Sequence, residues 1–301
     1  YCKNLKSIEF EENSELEILG KSAFSGTSIS YIKIPSSCQK ICEGAFSSCE
    51  KLNTIEIPID SDLQIIENEA FAATLIDKIF IPSKCNDLQK GCFTCMLFLN
   101  EIQVSPQNKS FIFVDNTFLL GKTNEDFDVL LFVRHEIEKV IFPSFIKKIG
   151  YYAFERCKLK AIQFNNDCKL ETIDEFSFYN SSIESIIIPP SVTSIKKSSF
   201  AYCKQLKTFE FSQNSNIISL KRFIFDFSGI EILTLPPKIE YIENGLFNTM
   251  KYLKEINLSS SNKKFLYLNN SLFLEKTNDS DSFDQLIFAR RNIKYIIVPS
   301  C

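Results

Sequence analysis

A mainly β solenoid, with one long parallel sheet and two inserted β-hairpins, is the fold class this sequence predicts. Three observations carry that expectation. First, the motif L/I-x-x-I-x-I/F recurs twelve times, with its middle apolar residue at Ile8, Ile32, Ile55, Ile79, Ile102, Val140, Ile162, Ile186, Phe209, Leu233, Ile256 and Ile296. Most spacings are 22 to 24 residues, and only the steps from Ile102 to Val140 and from Ile256 to Ile296 are longer. Second, a shift of 154 residues lays the chain on itself: Leu5 meets Leu159, Pro35 meets Pro189 and Cys49 meets Cys203. Third, an A/S-F-like phrase near the end of the units supplies Phe24, Phe46, Phe71, Phe93, Phe154, Phe178, Phe200, Phe225 and Phe247.

Each element follows from packing. A unit of some 23 residues is too small to bury a core alone, and it becomes stable by stacking on its neighbours. The last apolar residues of the motif alternate with polar ones, the period of a half-buried strand. Strands stacked about 4.8 Å apart make a parallel sheet, with the Ile and Phe positions as inward ladders. "IKIPSSCQKICEGAF" (32–46) and "IIIPPSVTSIKKSSF" (186–200) share only this apolar frame. Every copy must mate with those above and below it, so the frame is fixed and the letters between face water. The proline after I-x-I lacks an N–H and ends the strand.

The two long units contain "SFIFVDNTFLLGKTNEDFDVLLFV" (110–133) and "KFLYLNNSLFLEKTNDSDSFDQLIFA" (264–289). Each runs apolar, polar, apolar, and each is read as a β-hairpin inserted into a coil. Residues 1–301 then form one solenoid of two six-unit blocks, about 1–154 and 155–301. Both ends fall in mid-unit, which reads as a fragment of a longer repeat array.

The frame L-x-x-I-x-I-P-S-x-V-x-x-I-x-x-x-A-F-x-x-C, clearest in "LNTIEIP", "ENEAF" and "IIIPPSVTSIKKSSFAYC", resembles the BspA-like leucine-rich repeats, and the resemblance covers essentially the whole chain. It implies a right-handed leucine-rich-repeat solenoid. It also implies kinship with surface antigens of bacteria and parasitic protists, several of them linked to adhesion. The implied function is a non-catalytic binding module, surface-displayed or secreted, that contacts a protein or glycan through the sheet face or the inserted hairpins. The motif is the structural frame, so the resemblance transfers no functional residue.

Composition narrows the alternatives. A net charge of −3 gives no basic excess for nucleic acid, and no apolar run has the length of a membrane-spanning helix. "CFTC" (92–95) is a lone C-x-x-C whose Cys95 falls in the column of Cys49, Cys157 and Cys203, so it reads as packing and not as a redox or zinc pair. Column members sit two or more coils apart, roughly 10 Å at one strand spacing per coil, beyond disulfide reach. They are expected as buried free thiols, as are Cys38 and Cys85. No cofactor and no metal are expected. His135 is the single histidine, and a hydrolytic triad would have to be built around it.

The outward strand positions are where binding is expected: Tyr31, Lys33, Phe80, Ile141, Ile187, Ile232, Tyr295 and Ile297. Exposed apolar residues amid polar ones serve as contact anchors, although β-branched residues also favour strands in general. Five N-x-S/T sequons, at Asn108, Asn180, Asn257, Asn269 and Asn278, favour the cell surface or an extracellular setting. Eleven cysteines without a disulfide framework favour the alternative, a cytoplasmic scaffold for protein–protein interaction.

Overall fold

The computed structural model describes residues 2–277, 282–291 and 293–295. Every regular element among them is a β-strand, and none is a helix. The chain forms two compact units, one of Tyr1–Ile137 with Gly150–Arg156 and the other of Glu138–Ile149 with Cys157–Cys301. The division falls at the first insertion.

In the first unit, Tyr31–Lys33 pairs in parallel with Thr54–Glu56, setting Ile32 against Ile55, and Lys78–Ile81 pairs with Glu101–Val104, setting Ile79 against Ile102. All four isoleucines are buried. A second column of strands, Ile18–Leu19, Lys40–Ile41, Ile65–Ile66 and Asp87–Leu88, makes a separate four-stranded parallel sheet. In the second unit, Lys139–Phe142 pairs with Ala161–Phe164, and Ser185–Ile188, Thr208–Phe211, Ile232–Thr234 and Glu255–Asn257 form one ladder. Its second column contains Lys148–Ile149, Thr172–Ile173 and Ser194–Ile195, then Ser219–Leu220 and Tyr241–Ile242.

Two expectations are corrected here. The single long sheet is in fact two strand columns broken into short ladders. The tenth position of the frame, Ile41 or Ile195, alternates with polar neighbours just as the first does, so it builds strands of its own. The proline-bearing turn between the two positions keeps them apart. Of the twelve motif copies, ten give a strand in the first column, so the solenoid has about ten turns. The copy at Ile8 forms no strand, and that at Ile296 lies outside the described residues.

Each insertion is also larger than a hairpin. Phe111–Val114, Phe118–Gly121 and Val129–Val133 form an antiparallel three-stranded meander, and Phe265–Leu268, Leu272–Glu275 and Gln285–Ala289 repeat it. The first turn of each is a left-handed pair, Asp115–Asn116 (φ 51° and 50°) and Asn269–Asn270 (φ 49° and 50°), the conformation of tight hairpins. The polar stretch read as the hairpin loop is itself a second turn, closed where Thr123 donates from both its N–H and its hydroxyl to Asp128. Thr277 does the same to Asp284.

The Phe positions stack as expected. Phe24, Phe46 and Phe71 follow one another at 5.5 and 5.6 Å in the first unit. In the second, Phe178 and Phe200 stack at 4.8 Å with rings 10° apart, and both are fully buried. The turn backbone adds a ladder of its own. The Phe N–H donates to the carbonyl one residue before the next Phe (Phe46 to Ala70, Phe178 to Ser199), and the N–H two residues later donates to the carbonyl one residue after that Phe (Ser48 to Ala72, Asn180 to Ala201). The thiols fit into this ladder. Cys49 donates to the Phe24 carbonyl at 3.0 Å, and Cys203, 154 residues on, donates to Phe178 at 2.9 Å. The ten described cysteines are all free thiols, and Cys49, Cys157 and Cys203 are buried. Burial pushes the Cys203 thiol up to about 12, far from the thiolate needed for reactivity.

Candidate functional site

On the outward face of the first unit, cross-coil polar pairs occupy the positions expected to bind. The Tyr31 hydroxyl donates to Glu56 at 2.8 Å, and Lys33 lies 3.3 Å from the other oxygen of the same carboxylate. These two bonds hold the Glu56 carboxyl below its usual range. Lys78 and Glu101 pair at 2.9 Å in the same manner. Phe80 is half-buried and packs on the core rather than standing free. Exposed pairs of this kind contribute little to stability and leave the face polar.

The face of the second unit differs. Ile141 and Ile187 stand 64% and 58% exposed, on strands Lys139–Phe142 and Ser185–Ile188. Between these strands lies Ala161–Phe164, and no ladder joins it to Ser185–Ile188. The opening leaves Ile162 half-exposed where Ile186 and Phe209 are buried. A cleft of about 440 Å³ results, lined by Ala161, Ile162, Gln163, Phe164, Ile187 and Pro189 among others. Two aliphatic side chains thus flank a partly apolar cleft on a polar sheet. Ile232 is half-buried farther along the ladder, and Tyr295 is 81% exposed. Ile297 and Asn278 lie outside the described residues. The cleft is absent from the sequence reading because the motif copy at Ile162 is as good as its neighbours; only the failed pairing reveals it.

The sequons part company. Asn180, Asn257 and Asn269 are exposed. Asn108 is buried, its amide nitrogen donating to the carbonyls of Pro82 and Cys85 while its oxygen accepts from Ser110 and Phe111. Asn262, 154 residues on, does the same for Ile239, Lys264 and Phe265. Asn108 is therefore a structural amide that starts the insertion, and a glycan on its nitrogen would disrupt both donated bonds.

The residues that suggested chemistry are packed instead. Cys92 is buried and its thiol is pushed up by desolvation. Cys95 is raised by burial and by the Glu155 charge, to which its thiol donates at 3.3 Å. His135 is 6% exposed, edge-on to Phe132, and its Nδ1 has no hydrogen-bond partner. No cluster of three or more metal-ligating side chains occurs among the described residues, and no helix there is long and apolar enough to cross a membrane.

Burial pulls the His135 pKa below its ordinary value, with Glu155 and Glu136 opposing. The unfolded chain therefore takes up this proton first, at about pH 6.5. The stability linked to neutral His135 is complete above that pH and is lost as pH falls through the folded pKa. Thermal melts from pH 7 to 5 should show a fall in Tm that His135→Leu diminishes. Equal slopes in the two proteins would exclude this role.

No curated protein matches the chain. Three solved structures share its fold. The pneumococcal vaccine antigen PcpA is 22% identical with a TM-score of 0.64, over 85% of this chain and 74% of that one. A leucine-rich repeat protein of Eubacterium ventriosum is 21% identical with a TM-score of 0.62, over 82% and 71%. A leucine-rich cell surface protein of Faecalibacterium prausnitzii is 20% identical with a TM-score of 0.60, over 86% and 74%. The BspA type leucine-rich repeat region matches in six copies across residues 1–118, 128–225 and 171–283. With its repeat frame matched over most of its length, the chain belongs to the BspA-type leucine-rich repeat family.

Proposed function

We propose that the chain is a non-catalytic binding module, displayed at a cell surface or secreted, that takes a protein partner on the outward sheet face of its second unit. The observation that carries this reading is the pair Ile141 and Ile187, more than half exposed beside the 440 Å³ cleft. Apolar anchors around a pocket, with polar residues at the rim, are what a protein contact needs. The cell surface protein of like fold supports the location. Exposed Asn180, Asn257 and Asn269 are the glycan sites proposed. A glycan on Asn257, at the end of the ladder, would bound the contact area.

Ile187→Glu tests it. The position is exposed and leaves no cavity, so stability should change by less than about 1 kcal/mol. Binding to partners captured by the wild-type protein should weaken, because the carboxylate would be buried unpaired at the contact. A stable Ile187→Glu protein with unchanged capture would move the site to the insertions at 110–133 and 264–289.

A second reading, an intracellular scaffold of the same fold, is favoured by the absence of any disulfide among the ten described cysteines. Thiol titration of the denatured chain together with glycan mass analysis from the source cell separates the two. Glycosylated sequons support surface display, and bare sequons with every thiol reduced support the scaffold.

A further inference from the structure

While the turn of Phe247 holds only Gly245, eight of the turns that carry the ladder Phe hold a left-handed residue two positions before it and another two positions after it. In the first unit these are Ser22 and Gly26, Gly44 and Ser48, Glu69 and Ala73, Gly91 and Cys95, and Tyr152 and Arg156, and in the second Phe176 and Asn180, Ser198 and Tyr202, and Phe223 and Phe227. Their φ values span 52° to 67°. This conformation costs an L side chain roughly 1–2 kcal/mol relative to its usual one and suits Gly or Asn. The first unit mostly uses small residues there. Three successive turns of the second unit use Phe176, Tyr202, Phe223 and Phe227, and bulky residues in this region call for an explanation.

These rings assemble into one surface. Phe176 meets Tyr179 at 5.8 Å, Tyr179 meets Tyr202 at 5.2 Å, and Tyr202 stacks on Phe227 at 5.0 Å. Tyr202 and Phe227 remain 37% and 44% exposed. Phe223, in the same turn as Phe227, lies between Lys197 (4.9 Å) and Arg222 (4.8 Å). It borders a groove of about 400 Å³ lined by Lys196, Lys197, Lys221 and Arg222 against Glu175 and Glu243. Arg222 pairs with Glu243 at 3.2 Å. Lys197 and Lys221 rest on the rings of Phe223 and Tyr241, and among the described residues neither has an ion-pair partner. A chain of net charge −3 thus gathers a local cationic excess beside exposed aromatic rings.

The charge beside the rings selects the partner. Tyr202 is stacked on Phe227 with the rings 30° apart and is tilted at 57° against Tyr179, so it is already packed against two rings where a sugar or a nucleobase would stack. The ammonium groups suit carboxylates, and exposed Tyr and Phe suit apolar side chains at a protein contact. We propose that this aromatic and cationic strip is a second docking surface, specific for an acidic polypeptide segment.

The test uses the full chain produced without glycans, so that Asn180 is bare, and fluorescence anisotropy with a labelled short peptide of alternating Glu and Phe. Saturable binding is expected at low salt, weakened by added salt and absent for the matching Lys–Phe peptide. The exposed double change Lys197→Glu with Lys221→Glu should weaken it about tenfold or more. Tyr202→Gly should weaken binding to a similar degree while Tm holds or rises, because glycine relieves the left-handed backbone. Ile187→Glu should leave this binding unchanged, which separates it from the sheet-face contact. No saturable binding, or binding indifferent to the lysine pair, overturns the proposal. So does a Tyr202→Gly protein that melts lower yet binds as well, since the ladder is then structural. Binding of a heparin oligosaccharide in place of the peptide overturns it in favour of an anionic glycan. If Tyr202→Gly does not fold, the lysine pair decides alone.

Discussion

Phe200→Ala is expected to lower stability by about 3–5 kcal/mol. Phe200 is fully buried, stacked on Phe178 at 4.8 Å and edge-on to Phe209 at 4.9 Å, with Phe225 at 6.4 Å. Truncation removes the transfer energy of a ring, roughly 1.5–3 kcal/mol. It also leaves a cavity that the rungs on either side cannot close, because backbone bonds from Phe178 to Ser199 and from Phe200 to Ile224 fix their spacing. Phe200→Leu, which keeps most of the volume, should lose less than half as much. Urea unfolding followed by far-UV circular dichroism gives both values. A loss under about 1 kcal/mol for the alanine variant would show that the ladder is not the core.

Glu155→Ala is expected to cost roughly 3 kcal/mol, through a different mechanism. In an uninterrupted turn, the N–H two residues after the Phe donates to the next turn's backbone, as Ser48 does to Ala72. The first insertion blocks this at Cys95, because Val133 of the inserted strand takes the Ala153 carbonyl, the place that would fall to Phe93. The Glu155 side chain, 3% exposed, bridges the gap. One of its oxygens accepts from the Cys95 N–H at 2.9 Å and the Thr94 hydroxyl at 2.5 Å, and Arg156 lies 3.7 Å from the other. Alanine leaves the buried Thr94 hydroxyl and the Cys95 N–H unmet, whereas Glu155→Gln keeps an acceptor and should lose about half as much. An alanine variant within 0.5 kcal/mol of wild type (roughly the scatter of neutral surface changes) would mean that the bridge is not needed.

These two residues mark how far the sequence can be read. Phe200 was legible because its role is the same in every coil, and periodicity reports whatever recurs. The inward Ile column, the free Cys49 and Cys203, and the presence of both insertions were legible for the same reason. Glu155 was not, because it answers a single local need, the backbone bond displaced by the inserted strand. The cleft beside Ile187 and the aromatic strip around Tyr202 were hidden in the same way. The first comes from one missing ladder between sound strands, and the second from side chains brought together out of three turns at positions whose left-handed backbone no spacing announces. Asn108 shows the converse. Its sequon looked like a surface mark, but the amide is buried with all its hydrogen-bonding capacity in use.

Each coil of the array is held chiefly by the coils beside it, with the frame supplying the contacts and the outward letters free to bind. Native-state hydrogen exchange on Phe200→Ala tests this most directly within the second unit. Protection is expected to fall most in Ala161–Phe164, Ser185–Ile188 and Thr208–Phe211, the strands of the damaged coil and its neighbours. Lys139–Phe142 should keep nearly its wild-type protection. An equal loss of protection in all four strands would contradict it.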